Sequence, residues 1–201
     1  MTAPEIAPAA SIHMIAFEKH ADAIRFLGEM QAVATSLCPD ASLRISVVAT
    51  VADFKAALCM QADLVIVSAH GQAYERGLPF VPGLGDRPVG TNWLRLSEYG
   101  CGSGLTIGAR AGIFWDVCNA GRPGFREELG PLLGHQIVHI GVIGQIYYDD
   151  SVMIGTEILT MLFALRSLPV TAESVAAAAE KAITVTGLRL YWTWLGRAKA
   201  T

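Results

Sequence analysis

The sequence has few charged residues. Lys, Arg, Asp and Glu make up 16% of its 201 residues, and the formal net charge is −3. Nucleic-acid surfaces concentrate Lys and Arg to neutralise phosphates, so this composition argues against a nucleic-acid partner. In contrast, 52% of the residues are hydrophobic, which is enough to build the core of one domain of ordinary to large size.

Long apolar runs are also missing. No run reaches the roughly 20 residues that a membrane-spanning helix needs, and the longest candidate, residues 152–168, is interrupted by Thr156, Glu157 and Arg166. Residues 1–10 are rich in Pro and Ala and lack the basic start of a signal peptide, so we expect a disordered lead-in. We expect no membrane partner, and residues 11–201 are predicted to form a single domain.

Cysteine is scarce and irregularly spaced. The four cysteines fit neither a zinc motif nor a dense disulfide framework; they are Cys38, Cys59, Cys101 and Cys118. Free thiols indicate a reducing compartment, and we expect a cytoplasmic protein. Cys38 and Cys59 fall in helical stretches and are predicted to be small buried hydrophobic residues.

Signals for metals and cofactors are weak. His135 and His139 are four residues apart, but they flank a predicted strand, and no nearby acid or cysteine completes a site. No glycine-rich phosphate loop follows a strand. We therefore expect no metal and no cofactor.

Apolar runs alternate along the chain with stretches of helical periodicity, a pattern typical of an α/β protein with a mostly parallel sheet and helices on both faces. Strands are predicted at residues 11–17, 43–49, 63–68, 112–117 and 136–146. Helices are predicted at residues 21–37, 51–60, 122–133, 152–168 and 172–184, with Thr50 and Thr171 as N-caps. Residues 187–196 fit either a last strand or the end of the preceding helix.

One long connection, residues 72–111, is rich in glycine and proline. Helical turns are predicted around residues 93–99. A long connection beside reactive residues is more often functional than passive, so a lid or substrate loop is expected here. The alternative is a solvated insertion.

Two apolar runs end abruptly in a reactive side chain. Residues 64–69 lead into His70, and residues 112–117 lead into Cys118. Open α/β sheets bind ligands beyond the carboxyl ends of their strands, so neighbouring strands would place the imidazole and the thiol together. Such a pair supports nucleophilic catalysis, and a helix starting just after Cys118 would favour the thiolate. The alternatives are a buried inert cysteine and a hydrogen-bonded histidine at a strand end.

His70 and Cys118 lie 48 residues apart (118 − 70). The sequence motifs around them, in this order, resemble those of the caspase-like cysteine peptidase superfamily. That group includes caspases, metacaspases, gingipains, separase and bacterial CHAT domains. The two motifs are Ser68-Ala69-His70-Gly71 and Asp116-Val117-Cys118-Asn119-Ala120-Gly121. Ala69 stands where Gly is usual, and Asn119 and Ala120 stand where Ser or Arg is frequent.

Two further segments resemble the CHAT branch. Tyr148-Asp149-Asp150-Ser151 opens an apolar helix, and Arg189-Leu190-Tyr191-Trp192 is similar to that family's final strand. The second likeness favours a strand at residues 187–196. The resemblance implies a three-layer caspase-like sandwich with a mostly parallel six-stranded sheet and helices on both faces.

The resemblance also implies a mechanism. Cys118 attacks the scissile carbonyl, and His70 protonates the leaving amine as general acid. The N–H groups of Gly71 and Cys118 form the oxyanion hole.

Substrate specificity follows from the same resemblance. Asp116 matches an acid that lines the primary specificity pocket, which implies cleavage after Arg or Lys. Asp149 and Asp150 are expected close to that pocket and would add charge. The alternatives are a strand-end acid that caps a loop N–H for Asp116, and a helix N-cap pair for Asp149 and Asp150.

The leading hypothesis is therefore a cysteine endopeptidase acting on a protein or peptide substrate. It implies a regulatory protein partner, and a homodimer through the final strand is an open prediction. The second hypothesis is a catalytically silent caspase-like module for binding or assembly, its pocket filled by Tyr74 or Trp93. The third is a flavodoxin-like binder without peptidase activity.

Overall fold

The protein is described here by a computed structural model. It describes residues 10–18, 20–70, 106–164 and 169–196, together with the backbone of three short strands between residues 72 and 94. Residues 1–9 of the expected lead-in, Gly71 and Cys101 lie outside the described residues, as do the side chains of Tyr74 and Trp93. Ala10, the last residue of the expected lead-in, is described, and its carbonyl accepts a hydrogen bond from the N–H of Ser42 at 2.8 Å.

The described part of the chain contains a six-stranded sheet and a small three-stranded one. The strands are β1 (Ser11–Phe17), β2 (Ser42–Val48), β3 (Ala62–Ser68), β4 (Gln72–Ala73), β5 (Pro79–Pro82), β6 (Trp93–Leu94), β7 (Ala109–Asp116), β8 (Ile137–Val142) and β9 (Leu190–Leu195). The large sheet has the order β2-β1-β3-β7-β8-β9. Its first five strands are parallel, and β9 pairs antiparallel with β8.

The helices are α1 (Ala21–Leu37), α2 (Val51–Leu58), α3 (Pro123–Leu129), α4 (Tyr148–Phe163) and α5 (Ala172–Thr186), and a short 3₁₀ turn spans Gly130–Leu132. Thr50 and Thr171 begin α2 and α5 with reciprocal capping hydrogen bonds, as predicted. Among the described helices, none is both long and apolar enough to cross a bilayer.

Helices cover both faces of the large sheet. On one face, α1, α4 and α5 bury a cluster that includes Phe26, Phe114 and Ile154. On the other, α2 and α3 bury a cluster that includes Phe54 and Trp115. Strands β3, β7 and β8 are buried on both faces, which explains their nearly continuous apolar sequences.

The predicted element order and the α/β class with a mostly parallel six-stranded sheet are confirmed, and several boundaries differ. The helix expected over residues 122–133 is only α3, because Gly130 and Pro131 tighten the chain into a 3₁₀ turn. The fifth predicted strand ends at Val142 rather than residue 146. Residues 93–94 form a strand, so the helical turns predicted there are wrong, and residues 95–99 lie outside the described part.

The cysteine predictions have mixed outcomes. Cys38 and Cys59 each end a helix as its C-cap residue. Cys38 is partly buried. Cys59 is exposed, so the prediction that Cys59 is buried is wrong.

Candidate active site

Strand register brings the two reactive segments together. β3 and β7 are parallel neighbours with Ser68 opposite Asp116, and the N–H of Ala69 donates to the carbonyl of Asp116 at 3.2 Å. His70 and Cys118 each follow two residues later, at the same edge of the sheet.

Both side chains line one cavity of about 210 Å³ at this edge. Its walls come from the ends of β1, β3 and β7, the start of α1, and the segment that leads into α4. The lining residues are His20, Asp22, Ala23, Phe26, Ser68, Ala69, His70, Asp116, Cys118, Ile146, Tyr147, Tyr148 and Ser151.

The backbone immediately after Cys118 is held by the loop after β8. Asn119 has a left-handed conformation with φ of 65°, which Asn tolerates better than most residues. Its N–H donates to the carbonyl of Gly144 at 2.9 Å, and its Oδ1 accepts from the N–H of Gly144 at 3.2 Å. These two hydrogen bonds define the turn that presents the thiol.

The same turn lies against the end of β8 without room for side chains. A Cβ added to Gly141 would come within 2.6 Å of the Ala120 carbonyl carbon and 2.7 Å of the Gly121 nitrogen. The carbonyl of Ala120 also accepts a hydrogen bond from Nε2 of His139 at 3.0 Å. The turn carrying Cys118 is therefore built onto β8.

The sulfur of Cys118 contacts the backbone of Ile146. The N–H of Ile146 lies 3.4 Å from Sγ and donates to it, and the thiol lies 3.9 Å from the Ile146 carbonyl, to which it can donate. An N–H directed at sulfur stabilises negative charge there. The helix predicted at residue 122 begins at Pro123, and the described hydrogen bonds of the sulfur are both with the backbone of Ile146.

The side chain of His70 is exposed, and its main chain is held by His20. The N–H of His70 donates to Nδ1 of His20 at 3.4 Å, and the two ring centroids are 4.5 Å apart. His20 is 9% exposed. Its burial, and after that the charge of His70, lowers the pKa of His20 to about 4, so it is neutral near pH 7.

Asp116 is 6% exposed and faces the cavity. Its Oδ2 accepts from the Ser68 hydroxyl and its Oδ1 from the Ser151 hydroxyl, each at 2.6 Å. Burial raises the pKa of Asp116, whereas the hydrogen bonds from Ser151 and Ser68 and the charge of His70 act in the opposite direction. Both described hydrogen bonds of the Asp116 carboxylate are with serine hydroxyls rather than with a loop N–H.

The cavity is acidic. Asp22 and Asp116 line it, and no Lys or Arg is among its described lining residues. An ion pair joins Arg110 to Asp63 at 2.9 Å, at the opposite ends of the strands. A buried carboxylate favours a cationic partner; Asp116 already feels the charge of His70, and its place in the cavity lining suits a further cation that enters.

The other predicted substrate residues lie next to the cavity wall. Asp149 and Asp150 are in the first turn of α4, where Tyr147, Tyr148 and Ser151 line the cavity. Asp150 instead lines a second cavity, of about 380 Å³, on the other side of Ile146. Gly71, the predicted oxyanion donor beside Cys118, lies outside the described residues.

The histidine pair considered for metal binding is separated. Nε2 of His135 lies 3.0 Å from the Arg110 carbonyl, and His139 is buried in β8 against Ala120. Within the described residues, no group of three His, Cys, Asp or Glu side chains could hold a metal ion.

Several cavity residues were not assigned a role from sequence. Ser68 and Ser151 stand inside the motifs around His70 and Asp149, but nothing in their spacing along the chain indicates a contact with Asp116. His20 and Asp22 follow β1, and the carboxyl end of a strand parallel to β3 is a detectable signal. Tyr147 is 69% exposed at the cavity rim, and nothing in the sequence singled it out.

No model of a protein family matches the sequence, and no curated protein matches it significantly.

Proposed function

We propose that the protein is a caspase-like cysteine endopeptidase, of the CHAT or metacaspase-like kind, that cleaves after Arg or Lys. The observation that carries the proposal is the shared cavity of His70, Cys118 and Asp116 at the ends of two neighbouring parallel strands. The mostly parallel six-stranded sheet with helices on both faces agrees with the three-layer sandwich that this family implies.

The proposed reaction uses the thiol as nucleophile. Cys118 attacks the scissile carbonyl carbon as a thiolate, and the N–H of Ile146 stabilises negative charge on its sulfur. His70 takes up the thiol proton and then donates it to the leaving amine, giving an acyl-enzyme. Water, activated by His70, then hydrolyses the thioester and restores Cys118.

The proposed specificity depends on Asp116. An Arg or Lys side chain of the substrate would bring its cation to a buried carboxylate that two serine hydroxyls hold in place. The apolar stem of that side chain would lie along Phe26 and Tyr148, which also line the cavity. Asp22 would add negative charge near the rim.

The nucleophile is tested with purified protein and fluorogenic peptides ending in Arg, Lys, Leu or Asp. Wild-type protein is expected to cleave after Arg or Lys, and Cys118→Ala to lower kcat/KM by roughly 10⁴-fold or more. An electrophilic probe carrying Arg should label wild-type protein and not Cys118→Ala. Cys59→Ala, which removes an exposed thiol outside the cavity, is the control and should behave as wild type.

The second hypothesis, a silent caspase-like module, predicts a different result in the same assay. No peptide would be cleaved, and labelling would be the same in wild-type protein and Cys118→Ala. That result would overturn the endopeptidase proposal.

The specificity is tested separately with Asp116→Asn. This variant keeps the side-chain volume and one acceptor oxygen but removes the charge. We expect kcat/KM for Arg and Lys peptides to fall roughly 10²-fold because the substrate cation loses its partner. Glu173→Gln, which removes an exposed carboxylate on α5 away from the cavity, should leave cleavage unchanged. Equal losses for charged and uncharged peptides would contradict a specificity role.

Partners follow from the same proposal. The substrate is a protein or peptide segment with an accessible basic residue, and a regulatory protein partner controls cleavage. The predicted homodimer would form through β9, an edge strand of the large sheet; it remains a prediction that a sedimentation measurement can check.

A further inference from the structure

We propose that His20 is a positioning residue, which orients the imidazole of His70 through a hydrogen bond to its main chain and a contact between the two rings. The inference rests on the proposed function, because it concerns the same His70–Cys118 dyad. It assigns a role to a buried titratable side chain that the proposed reaction does not otherwise use.

His20 lies where β1 ends and α1 begins. Since β1 is the parallel neighbour of β3, the ends of the two strands meet at the cavity. The ring of His20 lies between His70, at a centroid distance of 4.5 Å, and Phe17, at 5.7 Å. Phe17 in turn packs against Phe54 at 4.9 Å. The contact to His70 is thus supported from the core.

The hydrogen bond requires one protonation state of His20. Nδ1 accepts from the N–H of His70, so it must carry a lone pair, and the ring proton is then on Nε2. Burial and the neighbouring charge of His70 lower the pKa of His20 to about 4, so this neutral form prevails near pH 7. The acceptor is therefore available under the conditions in which the dyad would work.

His70 needs such support because the sheet stops just before it. Among the described residues, the hydrogen bond from Ala69 to Asp116 is the last between the two strand ends, and the His70 side chain is exposed. An exposed side chain beyond the end of a strand samples several rotamers. The N–H bond fixes the peptide and the tilted ring of His20 limits where the imidazole can turn. A misplacement of about 1 Å at a reacting group can cost roughly 10²-fold in rate.

Three variants separate the two contacts. His20→Asn keeps an acceptor near the place of Nδ1 and loses the ring. His20→Phe keeps the ring and loses the acceptor, and His20→Ala loses both. We expect kcat to fall roughly 30- to 100-fold in the Ala variant and roughly 3- to 10-fold in each of the others, with KM changing less than twofold. Partial rescue by Asn and by Phe is the signature of positioning.

The experiment measures kcat and KM on the Arg peptide and, separately, the rate at which iodoacetamide alkylates Cys118. Alkylation reports on the dyad without substrate recognition and should fall in the same order. Circular dichroism checks folding, and if the Ala variant does not fold, the Asn and Phe variants decide. Unchanged kcat and alkylation, or an effect confined to KM, would overturn the role of His20.

His70→Ala distinguishes this failure from failure of the proposed function. If it lowers both rates and the His20 variants do not, only the positioning role is overturned. If it lowers neither, the dyad itself is wrong, and the role of His20 falls with it.

Discussion

The ends of β3 and β7 differ in how firmly each holds its reactive residue. After β7, the turn of residues 117–121 has hydrogen bonds to Gly144, Val142 and His139 and lies directly on Gly141. After β3, His70 is exposed, and among the described residues its N–H has one long hydrogen bond, to His20.

In the proposed reaction the two ends have different tasks. The thiol would meet a substrate carbonyl in one geometry, and a turn held by several contacts suits that task. The imidazole would serve first the thiol and then the leaving amine, and its exposed side chain can reach both. Perturbing the turn after β7 should therefore cost stability and activity together, whereas perturbing the end of β3 should cost activity mainly.

The largest expected effect comes from Gly141→Ala. The new methyl group would meet backbone atoms of Ala120 and Gly121 at 2.6–2.8 Å, and backbone cannot move aside as a side chain can. We expect the free energy of unfolding to fall by about 3 kcal/mol or more, measured by urea denaturation. Gly28→Ala in α1 is the control; it has nothing within 4 Å and should raise stability by about 0.5–1 kcal/mol. If Gly141→Ala and Gly28→Ala changed the free energy of unfolding equally, the close approach of the Ala120 and Gly121 backbone to Gly141 would not be important.

The next effect is the loss of stability in acid. Burial, opposed in part by the hydrogen bond to Ala120, lowers the pKa of His139 to about 3. The folded state therefore binds fewer protons than the unfolded state, where the pKa is about 6.5. Stability must fall as pH decreases below 6.5, with His139 contributing up to about 1.4 kcal/mol per pH unit until about pH 3.

The measurement is urea denaturation of wild-type protein and His139→Gln between pH 7 and pH 4. Gln can still donate to the Ala120 carbonyl, so the readout is the slope against pH rather than the absolute stability. The slope should be shallower in the variant. His13 and His20, whose pKa values are also lowered to about 4, add to the slope that remains, whereas Asp116, whose pKa is raised by burial, opposes it. An unchanged slope would contradict the assignment to His139.

The smallest of the three effects concerns Asn119. Asn119→Ala removes the acceptor for the N–H of Gly144 and leaves a less tolerant residue at φ of 65°, so we expect a loss of about 1–2 kcal/mol. Asn119→Gly removes the same acceptor but accepts the positive φ, so its loss should be smaller. Thermal denaturation measures the stability of Asn119→Ala and Asn119→Gly and shows which variant loses more. Alkylation of Cys118 should slow in the same order, and a reversed order would show that backbone conformation is not the cause.

Much of this arrangement could be predicted from residues alone. The apolar runs of β3 and β7 stop at polar residues, and parallel strands place their carboxyl ends together, so His70 and Cys118 were expected at one edge. The final strand at Leu190–Leu195 was ambiguous by periodicity and was favoured only through a family resemblance. Helix ends were predicted well where a capping Thr marks them, at α2 and α5, and less well at Pro131.

What sequence determined by itself is local: which runs are buried strands, where they end, and which reactive side chains follow. The tertiary structure decided what those side chains contact. Asp116 is held by Ser68 on its own sheet and Ser151 on α4, and Cys118 is contacted by Ile146, 28 residues later. His70 has His20 as its neighbour, 50 residues earlier. Periodicity reports only on neighbours along the chain, whereas these contacts depend on how the sheet register and helix packing bring distant segments to one cavity.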